Sequence, residues 1–98
     1  MTLPEATEEV KRMAGLHGGK LNAKTKFEFD EGVIFLDDTV SPTDVTNNDG
    51  EADCTIRMTL ENFEKVMSGS LNPMMALMSG KMKIDGDKGV AMKLSGMF

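Results

Sequence analysis

His17 and Cys54 are the only histidine and the only cysteine among these 98 residues, and any nucleophile–base pair built on a soft side chain would have to be those two. His17 stands in a glycine-rich stretch between Gly15 and Gly19, and Cys54 takes an inward position in an alternating segment. Covalent catalysis needs the nucleophile and its base within hydrogen-bond reach, with a third group orienting the base. With one residue of each kind, an exposed histidine beside an inert, buried thiol is the expectation. Zinc asks for three or four ligands, and two soft ones do not meet that demand. The acidic stretch from Asp44 to Asp53 invites a calcium reading. Placing Gly50 at the glycine of an EF-hand loop, however, puts the first and twelfth ligands on Val45 and Ile56, where carboxylates are required. Gly86-Asp87-Lys88-Gly89 has the G-x-x-G form that clamps a nucleic-acid backbone, but the net charge of −5 opposes it. No phosphate-binding glycine loop is present. Neither catalysis nor a metal or cofactor is expected.

The remaining chemistry is apolar. The chain has ten methionines, five phenylalanines and no tryptophan or tyrosine, and eight of the methionines lie from Met58 onward. Cores of this size are usually specified by Leu, Ile, Val and Phe. Methionine packs loosely and adapts to variable apolar surface. A methionine-rich second half therefore suggests a pocket with a deformable wall, or a surface that meets an apolar partner.

The elements that must position these residues can be read from period and punctuation. Thr2 and Glu5 stand at capping-box spacing with Pro4 in the first turn, so a helix is expected over residues 4–16, with Ala6, Val10, Met13 and Ala14 on its apolar face. Residues 25–30 alternate as a half-buried strand, with Phe27 and Phe29 on one side. Glu31-Gly32 is a turn, and residues 33–36 form a second strand. A short third strand is expected at 43–46, and Asn47-Asn48-Asp49-Gly50 is a hairpin signal. Residues 53–58 alternate again, with Cys54, Ile56 and Met58 inward. The period then lengthens to 3.6. Thr59 caps a helix carrying Leu60, Phe63, Val66 and Met67, and Asn72-Pro73 starts another carrying Met74, Leu77 and Met78. Residues 81–85 read as a fifth strand with Met82 and Ile84 inward, 86–89 as a turn, and 90–97 as a last helix. The expected fold is α+β: one domain over residues 1–98, a five-stranded, mostly antiparallel sheet covered on one face by helices. The passage between the strands at 53–58 and 81–85 through two helices could be a crossover, which the sequence alone leaves open.

Composition narrows the function classes. At 40% apolar and 28% charged the chain reads as an ordinary soluble domain, and no stretch approaches the ~18 apolar residues of a membrane span. Without a basic stripe, no nucleic-acid partner is expected, nor strong attraction to anionic lipid head groups. The lone thiol and the acidic start, which is unlike a signal peptide, fit a reducing, cytoplasmic compartment.

From Ala52 onward the residues resemble the sterol carrier protein 2 (non-specific lipid-transfer) domain family. The resemblance rests on Ala52-Asp53-Cys54-Thr55-Ile56, on Asn62-Phe63 through Val66-Met67-Ser68-Gly69, and on Leu71-Asn72-Pro73. Met78 to Asp87, with Gly80-Lys81-Met82-Lys83-Ile84 inside it, and Gly89-Val90-Ala91-Met92-Lys93-Leu94 complete it. About half the chain is covered, with the motifs in order; residues 1–51 match in layout only. The resemblance implies a hydrophobic tunnel between sheet and helices that carries fatty acid, fatty acyl-CoA, phospholipid or sterol, with no catalytic set. The expected ligand-binding wall is Ile56 and Met58 on the sheet, Phe63, Val66 and Met67 on the first cover helix, and Met74, Leu77 and Met78 on the second. Met82, Ile84, Met92 and Met97 complete it, with Phe35 at the floor. The family's peroxisomal members continue further and end in a Ser-Lys-Leu signal, which Gly96-Met97-Phe98 is not, so a more open tunnel and no peroxisomal address are expected. Partners are expected to be a lipid, without stable membrane insertion, and the chain a monomer or weak homodimer. The alternative is a protein-interaction or homodimer module, or an accessory domain presenting lipid to an enzyme.

Overall fold

A computed structural model describes residues 1–96. The element order is α1 (Leu3–His17), β1 (Lys24–Phe29), β2 (Gly32–Asp37), β3 (Asp44–Thr46), β4 (Cys54–Arg57), α2 (Leu60–Met67), α3 (Pro73–Met78), β5 (Lys83–Gly86) and α4 (Lys88–Ser95). The capping box is complete: the Glu5 amide donates to the Thr2 hydroxyl, and the Thr2 amide donates to the Glu5 carboxylate. Thr59 and Asn72 cap α2 and α3 as their side chains allow.

The five strands form one sheet in the order β3-β2-β1-β4-β5. All neighbours are antiparallel except β1 and β4, which pair in parallel from Thr25 opposite Cys54 to Glu28 opposite Arg57. Because the side-chain period is two, this register puts Thr25, Phe27 and Phe29, Ile34 and Leu36, Cys54 and Ile56 on one buried face. Ala6, Val10 and Met13 of α1, Leu60, Phe63 and Val66 of α2, and Val90, Ala91 and Leu94 of α4 close over it. Phe63 sits at the centre, edge-on to Phe27 and Phe29 with ring centroids 5.6 and 5.3 Å apart.

One connection differs from expectation, and one that the sequence left open is settled. Asn47 to Gly50 is not a hairpin turn, since β3 and β4 lie on opposite sides of the β1–β2 pair. The segment crosses the sheet's outer face instead. Asn47 donates to the Thr7 hydroxyl and the Val33 carbonyl, Asp49 pairs with Lys26 at 2.8 Å, and Gly50 lies against the Phe35 ring. The crossover therefore precedes β4, whereas β4 and β5 are antiparallel neighbours. β5 starts at Lys83 rather than Lys81, because the Lys81 and Met82 amides are used by the Ala76 carbonyl at the end of α3. α4 starts at Lys88 rather than Val90, because the Asp87 carboxylate accepts from the Gly89 and Val90 amides as its N-cap.

Candidate functional site

A cavity of about 380 Å³ opens between the β4–β5 edge, α3 and α4. Ile56, Met82 and Ile84 form its floor, Pro73, Met74 and Leu77 one wall, and Lys88, Ala91, Met92 and Ser95 the other. Apart from Lys88 and Ser95 the lining is apolar, and the volume falls within the range of small-molecule sites. Ile56 and Met82 are buried, Ile84 is half-buried, and Met74, Leu77 and Met92 reach solvent at the mouth. The cavity exists because α3 is only six residues long and is seated by one buried side chain, Ala76.

Six of the residues expected in the wall meet here: Ile56, Met74, Leu77, Met82, Ile84 and Met92. Met58, Phe63 and Val66 belong to the closed core, where they fill space under the helices. Met67 is half-buried beside Leu71 at a separate cleft. Met78 projects from α3 with 79% of its surface exposed, outside the cavity. Phe35 lies on the opposite face of the sheet, under the Gly50 loop, because side chains alternate along a strand and its immediate neighbours Ile34 and Leu36 point inward. Met97 lies outside the described residues. Pro73, Lys88, Ala91 and Ser95 were not expected. Lys88, Ala91, Met92 and Ser95 follow the i, i+3, i+4, i+7 spacing of one helix face, and that stripe becomes legible once α4 is started at Lys88.

A larger cavity of about 620 Å³ lies at the other end, between the close of α1 and the loop 38–45. Its lining mixes Leu16, Val40, Pro42 and Val45 with the hydroxyls of Thr39, Ser41 and Thr43 and the carboxylates of Asp38 and Asp44, and its buried acid is fully occupied. Asp38 accepts from the amides of Gly19, Leu21 and Asn22 and from the Thr43 hydroxyl at 2.6–2.9 Å. Burial pushes the Asp38 carboxyl up, but these hydrogen bonds outweigh it and hold the group below its ordinary value. Asp38 thus fastens two loops together.

Cys54 is wholly buried in β4, and burial, followed by the charge of Asp87, pushes its thiol up. The thiolate is the nucleophilic form, so this environment disfavours reaction. His17 has Lys20 as its neighbour, with Nζ 3.4 Å from Nδ1. Among the described residues no group of three or more His, Cys, Asp or Glu side chains could hold a metal. No helix among them is long and apolar enough to cross a membrane.

The layout of sheet and cover helices has relatives. The model of the SCP-2 sterol transfer family matches residues 3–98. This chain belongs to that family. It is one of lipid binding and transfer, and the match spans both the motif-bearing second half and the first half, which resembled it in layout alone. Sterol carrier protein 2 of Homo sapiens is 47% identical over 51 residues, which is 52% of this chain and 9% of that protein. Hydroxysteroid dehydrogenase-like protein 2 of Homo sapiens is 50% identical over 44 residues, 45% of this chain and 10% of that protein. The chain thus spans about a tenth of the length of these relatives. The solution structure of palmitated SCP2L2 from Aedes aegypti superposes with a TM-score of 0.74 at 22% identity, covering 98% of this chain and 93% of that one. At that identity the likeness is one of fold.

Proposed function

We propose that this chain, acting as one lipid-binding domain, binds and carries a single long apolar lipid tail in the cavity between β5, α3 and α4, and does no chemistry on it. The observation that carries the reading is the cavity itself: a methionine-walled space of about 380 Å³ whose only charged lining group among the described residues, Lys88, comes from the start of α4. A tail seated there gains about 0.8 kcal/mol per buried methylene, so ten methylenes return about 8 kcal/mol. Association costs about 4–15 kcal/mol. The balance favours weak to moderate binding, which suits a carrier that must also release its cargo. Fatty acid, fatty acyl-CoA and phospholipid each offer such a tail below an anionic head that Lys88 can meet; a sterol offers only a hydroxyl there. The lone buried thiol of Cys54 fits an intracellular, reducing setting.

Titration of the purified chain with a fluorescent fatty acid, and then with unlabelled lipids as competitors, tests the reading. Competition by long-chain fatty acids with a stoichiometry near one supports it. A chain that ignores every acyl probe, and yields no bound lipid on extraction, overturns it.

A second reading has one observation in its favour: the stretch matched in hydroxysteroid dehydrogenase-like protein 2 is about a tenth of a longer protein. A domain of this kind could present its lipid to an enzyme. Co-purification of the chain with a dehydrogenase, and a rise in that enzyme's turnover of lipid substrate when the chain is added, would establish it.

A further inference from the structure

Two thioethers stand at the cavity mouth, on opposite walls. Met74 belongs to the α3 wall and Met92 to the α4 wall, and they are 53% and 72% exposed. Met82, the third methionine of the lining, lies on the floor and is 5% exposed. Leu77 shares the rim, but it carries no oxidisable atom. A thioether is an apolar group that two-electron oxidation turns into a sulfoxide, which is polar and chiral. The usual thiol target of such oxidation is closed here. Cys54 is wholly buried, and burial pushes its thiol up, so the reactive thiolate is disfavoured. Met13 and Met58 are sealed in the core. Met75 and Met78 are exposed on α3 but line no part of the cavity. One short helix therefore carries a methionine at the lipid site and two beside it, equally open to an oxidant.

We propose that Met74 and Met92 form a paired oxidation site through which a peroxide turns the cavity from accepting a lipid tail to rejecting it. The inference rests on the cavity being the lipid site. At each residue a sulfur lone pair attacks one peroxide oxygen, the O–O bond breaks, and the other oxygen leaves as water after proton transfer. The sulfur is oxidised by two electrons and the peroxide is reduced. The new S=O dipole stands where a tail enters. A methylene chain lying against it strips its water and offers no donor in return, which is the cost of burying an unpaired polar group. A seated tail also covers both sulfurs. The empty chain is thus the reactive form, and the loaded chain is protected.

The test exposes the full chain to hydrogen peroxide, with and without saturating palmitate, and maps the oxidised positions by peptide fragmentation. Affinity for a fluorescent acyl probe is read once peroxide and palmitate are removed. Oxygen should enter Met74 and Met92 before Met82, and palmitate should slow it there while Met75 and Met78 oxidise as before. Probe affinity of the chain oxidised without palmitate should fall about tenfold, with the far-UV spectrum unchanged. Thiol-driven methionine sulfoxide reductases of both epimer specificities should restore it. In Met74→Leu/Met92→Leu, whatever its starting affinity, peroxide should cause no further loss, whereas Met75→Leu/Met78→Leu should lose affinity as the wild type does. Equal loss in both double variants overturns the proposal, as does equal protection by palmitate at all four positions. A fall in helical signal alongside the affinity also overturns it, since the damage would then be to the core. Probe binding indifferent to oxygen on Met74 and Met92 sinks this inference alone. An unoxidised chain that ignores the probe sinks the carrier reading, and the inference with it.

Discussion

Ile84 lies directly across the β4–β5 ladder from Ile56, and the two side chains together form the floor of the apolar cavity. They differ in what covers them. Ile56 is buried in an inner strand, whereas Ile84 is half-buried on the edge strand and open to the cavity above. The pair therefore separates ligand contact from core packing. Ile84→Glu places a carboxylate on the floor, where an acyl tail would strip its water, and is expected to weaken acyl-probe binding at least tenfold while the chain stays folded. Ile56→Ala is expected to cost about 2–5 kcal/mol of stability. Probe titration paired with thermal unfolding distinguishes them, and unchanged affinity in Ile84→Glu would remove the cavity from the binding site.

Lys88 sets the expected preference among lipid heads. It is exposed at the cavity wall, so its pairing with an anionic head is worth no more than a surface ion pair, about 0.2–1 kcal/mol. Lys88→Gln should weaken binding of a fatty acid by up to about fivefold and leave its uncharged methyl ester untouched. Competition titrations with acid and ester read this directly. An equal loss for both would mean that the lysine's stem packs against the tail and its charge is idle.

Where the sequence was legible, the physics was local. Capping side chains, the alternation of Phe27 and Phe29, and the change of period at Thr59 depend on neighbours a few residues apart, and the corresponding elements stand where those signals put them. Asn47 to Gly50 misled because a hairpin signal reports the turn's backbone preferences and not its strand partners. Asn47 spends its side chain on Thr7, forty positions away, and no local rule reaches that far. The cavity wall was half legible for the same reason. Met82 and Ile84 follow from strand alternation, but Met78 and Met74 look equivalent on a helical wheel. Only the seating of Ala76 turns one toward the cavity and the other to solvent.

Asp38 makes stability depend on acid. Its carboxylate is held below the ordinary aspartate value by four hydrogen bonds that overcome its burial, so the folded state favours the ionised form. The stabilisation is complete above the unfolded value of about 3.9 and is lost as pH falls from there through the lowered folded value. Thermal unfolding followed from pH 6 downward, roughly the range in which native carboxylates titrate, should show that loss. Asp38→Asn, which keeps one acceptor oxygen, should cost about 2–4 kcal/mol near neutrality and flatten the acid limb. An unaltered acid limb in the variant would assign the dependence to Glu5, Asp37 and Asp49, which are also held low by their hydrogen bonds.

Thr25 supplies a prediction of the opposite sign. It is fully buried on β1, opposite Leu36 on one side and Cys54 on the other, and among the described residues its hydroxyl has no hydrogen-bond partner. An unsatisfied buried hydroxyl costs about 1–3 kcal/mol. Valine has nearly the same shape and the same preference for a strand. Thr25→Val should therefore stabilise the chain by about 1 kcal/mol, shifting Tm upward by roughly 4–8 °C for a domain of this size. Because Thr25 does not line the cavity, acyl-probe affinity should be unchanged. A lower Tm would show that the hydroxyl is bonded in solution, most simply by a water beside Cys54, and the cost of removing it would then measure that bond.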